Sequence, residues 1–86
     1  MTQEERLAQA TVVQAKYTDE LMQMANVVGV AVGLIQRGGQ PTGSVGLVVL
    51  VVKKVPHEQL AENDRIPSEL DGVPVDVQEI GEIKAF

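Results

Sequence analysis

The sequence predicts a small α+β two-layer sandwich in α-β-β-α-β order, with a three-stranded, mainly antiparallel sheet and helices on one face. Three observations carry this expectation. An apolar stripe recurs at three- and four-residue steps near the start, two β-branched runs flank a glycine-rich turn, and a closing segment alternates valine with polar residues. At 86 residues there is room for one domain. We expect it to divide into an N-terminal amphipathic helix over 1–25 and a β-β-α-β body over 26–83.

The helix is signalled first. Thr2-Gln3-Glu4-Glu5 fits a capping box, in which the Thr2 hydroxyl accepts from the Glu5 amide while Glu5 reaches back. Glu4 and Glu5 also sit where the helix dipole favours acids. Leu7, Ala10, Val13, Tyr17, Leu21 and Met24 then form the stripe, which Ala8, Val12, Ala15 and Met22 widen. The spacing predicts a helix over about residues 3–24, ended by Asn26.

Val27 to Ile35 is β-branched and too glycine-rich for a helix. Val28, Val30, Val32 and Leu34 make one bulky face, and Gly29, Ala31 and Gly33 make a smooth one. The smooth face suits close packing beneath the long helix, or else the approach of a ligand. Arg37 to Ser44 reads as a hairpin loop. Leu47-Val48-Val49-Leu50-Val51-Val52 is apolar on both faces, as in a strand covered on both sides, and Lys53 and Lys54 close it.

Pro56 suits the first position of a short helix over His57-Glu58-Gln59-Leu60-Ala61, and Ile66 to Leu70 reads as one more helical turn. Asp71-Gly72 reverses the chain. Val73, Val75 and Val77 alternate with Pro74, Asp76 and Gln78, a half-buried strand that Pro74 assigns to a sheet edge.

Composition narrows the function. A formal net charge of -5 argues against nucleic acid, since phosphate binding needs a basic surface. Tyr17 and Phe86 are the only aromatic residues, too few for base stacking. With no cysteine there are no disulfides, thiol nucleophiles or thiolate metal sites. The polar, acidic start MTQEERLAQA is not expected to act as a secretion signal. No apolar run is long enough to span a bilayer, so a cytoplasmic protein without membrane contact is expected.

Candidate sites fare poorly. Glu62, Asp64, Glu69 and Asp71 lack the alternating oxygens, central glycine and closing bidentate Glu of a calcium loop, and the segment reads as a connector. One imidazole, His57, cannot make a two-histidine zinc site. Ser44 sits in Gly43-Ser44-Val45-Gly46, one residue short of a nucleophile elbow. Gly29-x-x-x-Gly33 and Gly38-Gly39 precede no helix and make no dinucleotide fingerprint. No catalytic, cofactor-binding or metal residue is assigned, and no cofactor is expected.

The central strand raises a different prospect. Helices on one face would cover only half of Leu47, Val48, Val49, Leu50, Val51 and Val52, leaving an apolar patch of roughly several hundred Å². Burying it at about 25 cal/mol/Å² would help a thin core. Those six residues, with Leu21 and Met24 should the helix exchange between chains, form the expected interface of a homo-oligomer. A small-ligand or peptide-binding domain using Gly29, Ala31 and Gly33, or an open sheet edge, is the alternative.

Several segments together carry a resemblance: Asn26 to Gly33, Thr42-Gly43, Leu47 to Pro56, and above all Ile66-Pro67-Ser68-Glu69-Leu70-Asp71-Gly72-Val73-Pro74-Val75-Asp76-Val77. They resemble the N-terminal module that precedes the trypsin-like peptidase domain in bacterial proteins similar to the plant Narrow leaf 1 proteases. In that family the catalytic Ser, His and Asp lie in the following domain, so none is carried over to any position here. The resemblance implies an accessory module without protease activity. The expected function is a non-catalytic structural or interaction module that self-associates or docks on a partner such as a protease domain.

Overall fold

The computed structural model describes residues 2–61 and 64–81, with the side chain of His57 outside that description. It is an α+β fold with one α-helix, α1 (Gln3–Met22), and four strands: β1 (Val27–Arg37), β2 (Gln40–Val51), β3 (Glu69–Leu70) and β4 (Val73–Glu79). The sheet order is β1-β2-β4-β3. β2 pairs antiparallel with β1 and parallel with β4, while β3 pairs antiparallel with β4. The expected three-stranded, mainly antiparallel sheet is therefore corrected to a four-stranded mixed one.

α1 begins as the sequence predicts. Thr2 Oγ1 accepts from the Glu5 amide at 3.1 Å, and its hydroxyl donates to Glu5 Oε1 at 3.2 Å. Ala10, Val13 and Leu21 are buried, with Tyr17 and Met24 packed against them. Ala8, Val12, Ala15 and Met22 do not widen the stripe, and Leu7 is 46% exposed. A single helix on a narrow sheet has only one line of contact to offer. The chain reverses at Asn26, whose φ of 78° lies in the left-handed region that Asn tolerates. Its side chain ties the reversal to the end of β2: Lys53 N–H donates to Asn26 Oδ1 at 3.1 Å, and Asn26 Nδ2 donates to the Lys53 carbonyl.

Turn chemistry explains why the strands run longer than composition suggests. Gly38 and Gly39 have φ of 60° and 79°, so two residues suffice for a primed turn and Arg37 pairs directly with Gln40. The expected loop over Arg37 to Ser44 is mostly strand. Asp71 and Gly72, at φ of 49° and 82°, make a second two-residue turn. It holds Glu69 and Leu70 opposite Pro74 and Val73, so the helical turn expected at Ile66 to Leu70 is β3 instead. β3 also removes Pro74 from the sheet edge. Pro74 stands one residue ahead of the parallel ladder that opens at Leu47 and Val75. Because parallel strands cannot be joined by a tight turn, the chain crosses over between β2 and β4. The expected second helix is reduced there to a 3-10 turn, His57–Gln59, following Pro56.

One sheet face packs on α1 through Leu47, Val49 and Val51 of β2, flanked by Val30 and Val32 of β1 and by Val75 and Val77 of β4. Gly29, Ala31 and Gly33 lie on the opposite face, paired with Leu50, Val48 and Gly46. The smooth face thus does not receive the helix. It receives β2's own side chains, because a Cβ on Gly29 would stand 3.3 Å from Leu50 Cδ1 and one on Gly33 3.6 Å from Val48 Cγ2. A register irregularity after Leu34 then bends the β1–β2 hairpin. Ile35 lies across Gly46, and the Gln36 amide reaches Asp76 Oδ2 at 3.0 Å. Ile35 is 2% exposed, Val48 7%, and Leu50 and Val52 are half-buried. The second flank of Leu47 to Val52 is thus sheltered in part by the chain itself: Val48 is buried, while Leu50 and Val52 keep some exposure.

Candidate interaction surface

Of the residues predicted to form an interface, Leu21, Leu47, Val49 and Val51 belong to the chain's own core, and Met24 packs against that core. Val48, Leu50 and Val52 share the other face, where little of Val48 meets solvent. Gly29 and Gly33 have Leu50 and Val48 beside them, and with Ala31 they are half-buried; the open sheet edge is the other accessible feature of β1.

That edge is long, with a register irregularity between Val27 and Gly29 and the Gln14 side chain against it. β1 has β2 on one side and, among the described residues, no strand on the other. From Val27 to Ile35 it carries no charge and no proline, the residues that normally blunt an exposed edge. Two of its side chains are open, Val28 at 38% and Leu34 at 49% exposure. Gln14 on α1 also reaches it, donating from Nε2 to the Val30 carbonyl at 3.0 Å.

The helix extends the surface. Leu7, Thr11, Ala15, Thr18 and Met22 follow one another at four- and three-residue steps and so share one flank of α1. It is the β1-side flank: Leu7 lies beside Val32 and Leu34, and Gln14 reaches Val30. The Thr11 hydroxyl donates to the Leu7 carbonyl at 2.8 Å and the Thr18 hydroxyl to the Gln14 carbonyl, so neither offers a free donor. The opposite flank is polar and tied to the β3–β4 turn. There Lys16 Nζ meets Asp71 Oδ2 at 2.9 Å, the Tyr17 hydroxyl donates to Asp71 Oδ1 at 3.1 Å, and Gln9 Nε2 donates to the Asp71 carbonyl at 3.4 Å. The Lys16 ammonium and the Tyr17 hydroxyl hold the Asp71 carboxyl below its ordinary 3.8, and Asp71 raises Lys16 above 10.5.

A second feature is a cleft of about 410 Å³ at the carboxyl ends of the parallel strands β2 and β4. Its wall is aliphatic, with Val51, Val55, Leu60, Ile66 and Val77, and its rim carries Asn26, Lys53, Lys54 and Asp64. Two of the polar groups are committed to the fold. Asn26 brackets the Lys53 backbone, and Asp64 Oδ1 accepts from the Ala25 amide at 2.9 Å.

The remaining sequence candidates do not converge. Asp64 and Asp71 serve the contacts just given, Glu69 lies in β3, and Glu62 falls outside the described residues. Among the described residues no three potential metal ligands cluster. Ser44 sits in the irregular stretch of β2, where its amide donates to Thr42 Oγ1 at 3.2 Å, and the His57 side chain lies outside the description. Sequence reasoning missed Asp76, assigned above to the polar face of its strand. It is 9% exposed beneath the bent hairpin, accepting from the Gln36 amide and from Gln78 Nε2. It also missed Gly46, whose role depends on what lies across the sheet. Among the described residues no helix is long and apolar enough to cross a membrane. No protein-family model and no curated protein matches this chain.

Proposed function

We propose that this chain is a non-catalytic interaction module whose docking element is the outer edge of β1, extended by the neighbouring flank of α1. The observation that supports it is the uncharged run Val27 to Ile35 on an edge strand, bordered by the exposed side chains of Leu7, Val28 and Leu34. An edge of this kind accepts an extended strand: main-chain hydrogen bonds give affinity and flanking side chains give selectivity. The partner is another copy of the chain or a second domain, including the protease domain implied by the resemblance. A fluorescent peptide copying Val27–Arg37, with lysines added at its ends, tests the edge directly. Saturable binding that is lost in the double variant Val28→Lys/Leu34→Lys is expected. Equal binding by that variant would refute the edge as the docking element.

The cleft beside Lys53 and Lys54 favours a second reading, a small-ligand site. Its volume falls within the range of ligand pockets, and its aliphatic wall suits a medium-chain carboxylate, with Lys53 and Lys54 on the rim and Asp64 engaged by the Ala25 amide. A rise in melting temperature with octanoate that disappears in Lys53→Gln/Lys54→Gln would support it, and no rise would count against it.

A further inference from the structure

We infer that the partner at the β1 edge is a second copy of this chain, joined antiparallel about a two-fold axis at Ala31. This rests on the edge-docking reading above and adds the partner and the register.

The sequence of β1 is self-complementary about that residue. Val28-Gly29-Val30-Ala31-Val32-Gly33-Leu34 reads nearly the same in both directions. In an antiparallel pair centred on Ala31, Gly29 faces the partner's Gly33, Val30 its Val32, and Val28 its Leu34. Paired residues in such a ladder point to the same face. Glycines therefore meet glycines on the smooth face, valines meet valines on the helix face, and no charge is brought opposite a like charge. The two open side chains, Val28 and Leu34, stand at the two ends of this register, Val28 at the irregularity between Val27 and Gly29. A two-fold contact has to be self-complementary in this sense, because the same patch serves both sides.

The helices fit the same axis. α1 packs on both β1 and β2. With strands about 4.8 Å apart, a helix seated between them stands roughly 5 Å from the axis. Its symmetry mate is then about 10 Å away, within the range for packed helices. Leu7 lies beside Val32 and Leu34, and Gln14 reaches Val30, so the level of Ala31 falls near Thr11. Small side chains occupy that level, Thr11 with Ala8 and Ala15 about one turn to either side. The nearest charge on this flank is Glu4, at the outer end of the helix. The Gln14 amide that holds the Val30 carbonyl is neutral, so an incoming strand displaces it without stranding a charge. The product is one continuous eight-stranded sheet with two antiparallel helices on one face.

The chain contains no cysteine, so single cysteines report the register without background. Opposed residues in an antiparallel pair have Cα atoms about 4.5–5.5 Å apart, within disulfide reach. Ala31→Cys should form a covalent dimer on mild oxidation. Val28→Cys mixed with Leu34→Cys should give a crossed dimer that neither gives alone, and Val12→Cys should give none. Sedimentation of the unmodified chain should show a dimer at about 100 µM, converted to monomer by Val28→Lys/Leu34→Lys. A dimer that cross-links through Val12 but not Ala31 would overturn the register. A monomer throughout would overturn the second copy as partner. Binding of the Val27–Arg37 peptide, measured separately, shows whether the edge reading survives either result.

Discussion

Gly33 and Gly46 face each other across β1 and β2, yet they should respond to the same substitution in opposite ways. A Cβ on Gly33 would meet only Val48 Cγ2, at 3.6 Å, an ordinary contact. A Cβ on Gly46 would stand 2.3 Å from the Pro74 carbonyl oxygen, 2.7 Å from Ile35 Cδ1 and 2.8 Å from Ile35 Cγ1. Ile35 can turn aside; the carbonyl belongs to the backbone of β4 and has to move by about 1 Å to reach contact distance. Overpacking of this kind costs about 1–3 kcal/mol. Disturbing β4 at the opening of the parallel ladder puts Gly46→Ala at the upper end. With about 4–8 °C per kcal/mol for a domain of this size, Gly46→Ala should lower the melting temperature by roughly 10–20 °C. Gly33→Ala should leave it unchanged or raise it slightly, because alanine has less backbone freedom to lose on folding. Thermal unfolding by circular dichroism at matched concentration decides the matter. A Gly46→Ala protein as stable as Gly33→Ala would refute both the packing of Ile35 over Gly46 and the approach of β4 to β2.

Three further outcomes are expected. Asp71 is held below 3.8 in the fold, so the stability it lends is present above that pH and lost as pH falls through its lowered value. Lys16 is raised above 10.5, so its share is present below that pH and lost as pH rises through the raised value. Asp71→Asn keeps a residue that tolerates the positive φ, and should flatten the acid limb of a stability–pH profile; an unaltered limb would refute the pairing. Asp76→Ala leaves the Gln36 amide without its acceptor and should cost about 1–3 kcal/mol in urea unfolding, more than Asp76→Asn, which retains an oxygen; a loss below about 0.5 kcal/mol would refute the buried bond. Asn26→Ala and Asn26→Gly both lose the bracket on Lys53, but only alanine meets the left-handed backbone with a Cβ. Alanine should be less stable by about 1 kcal/mol, and equal stabilities would refute the turn geometry.

The features read correctly from sequence are those whose causes are local. The Thr2–Glu5 cap, the Ala10–Val13–Tyr17–Leu21 line and the Asp71-Gly72 turn each depend on residues within a few positions of one another. Pairing partners are not local. Nothing in Val73 to Val77 says that β4 lies parallel to β2, and the two residues of β3 gain their identity only from the turn that sets them opposite Pro74. The same holds for Asp76, whose alternation with valine suggested solvent. Its burial follows from the irregularity at Ile35 and Gln36, 40 residues earlier in the chain, which brings the Gln36 amide to its carboxylate.

The candidate surface moved for a related reason. Six consecutive aliphatic residues suggested one face under helices and the other left bare, and volume alone supports that reasoning. What it omitted was where the missing volume of β1 goes. Gly29 and Gly33 vacate space that Leu50 and Val48 fill, and Gly46 vacates space that Ile35 fills. Bulky and small residues on paired strands thus exchange room across the ladder, and part of the face is sheltered without a second layer. Side chains can shelter one another in this way; along an edge Gln14 meets the Val30 carbonyl, but another strand matches the spacing of the whole row of main-chain groups. Partial self-covering therefore leaves the face less to gain from association, and the unpaired main chain along the edge of β1 more.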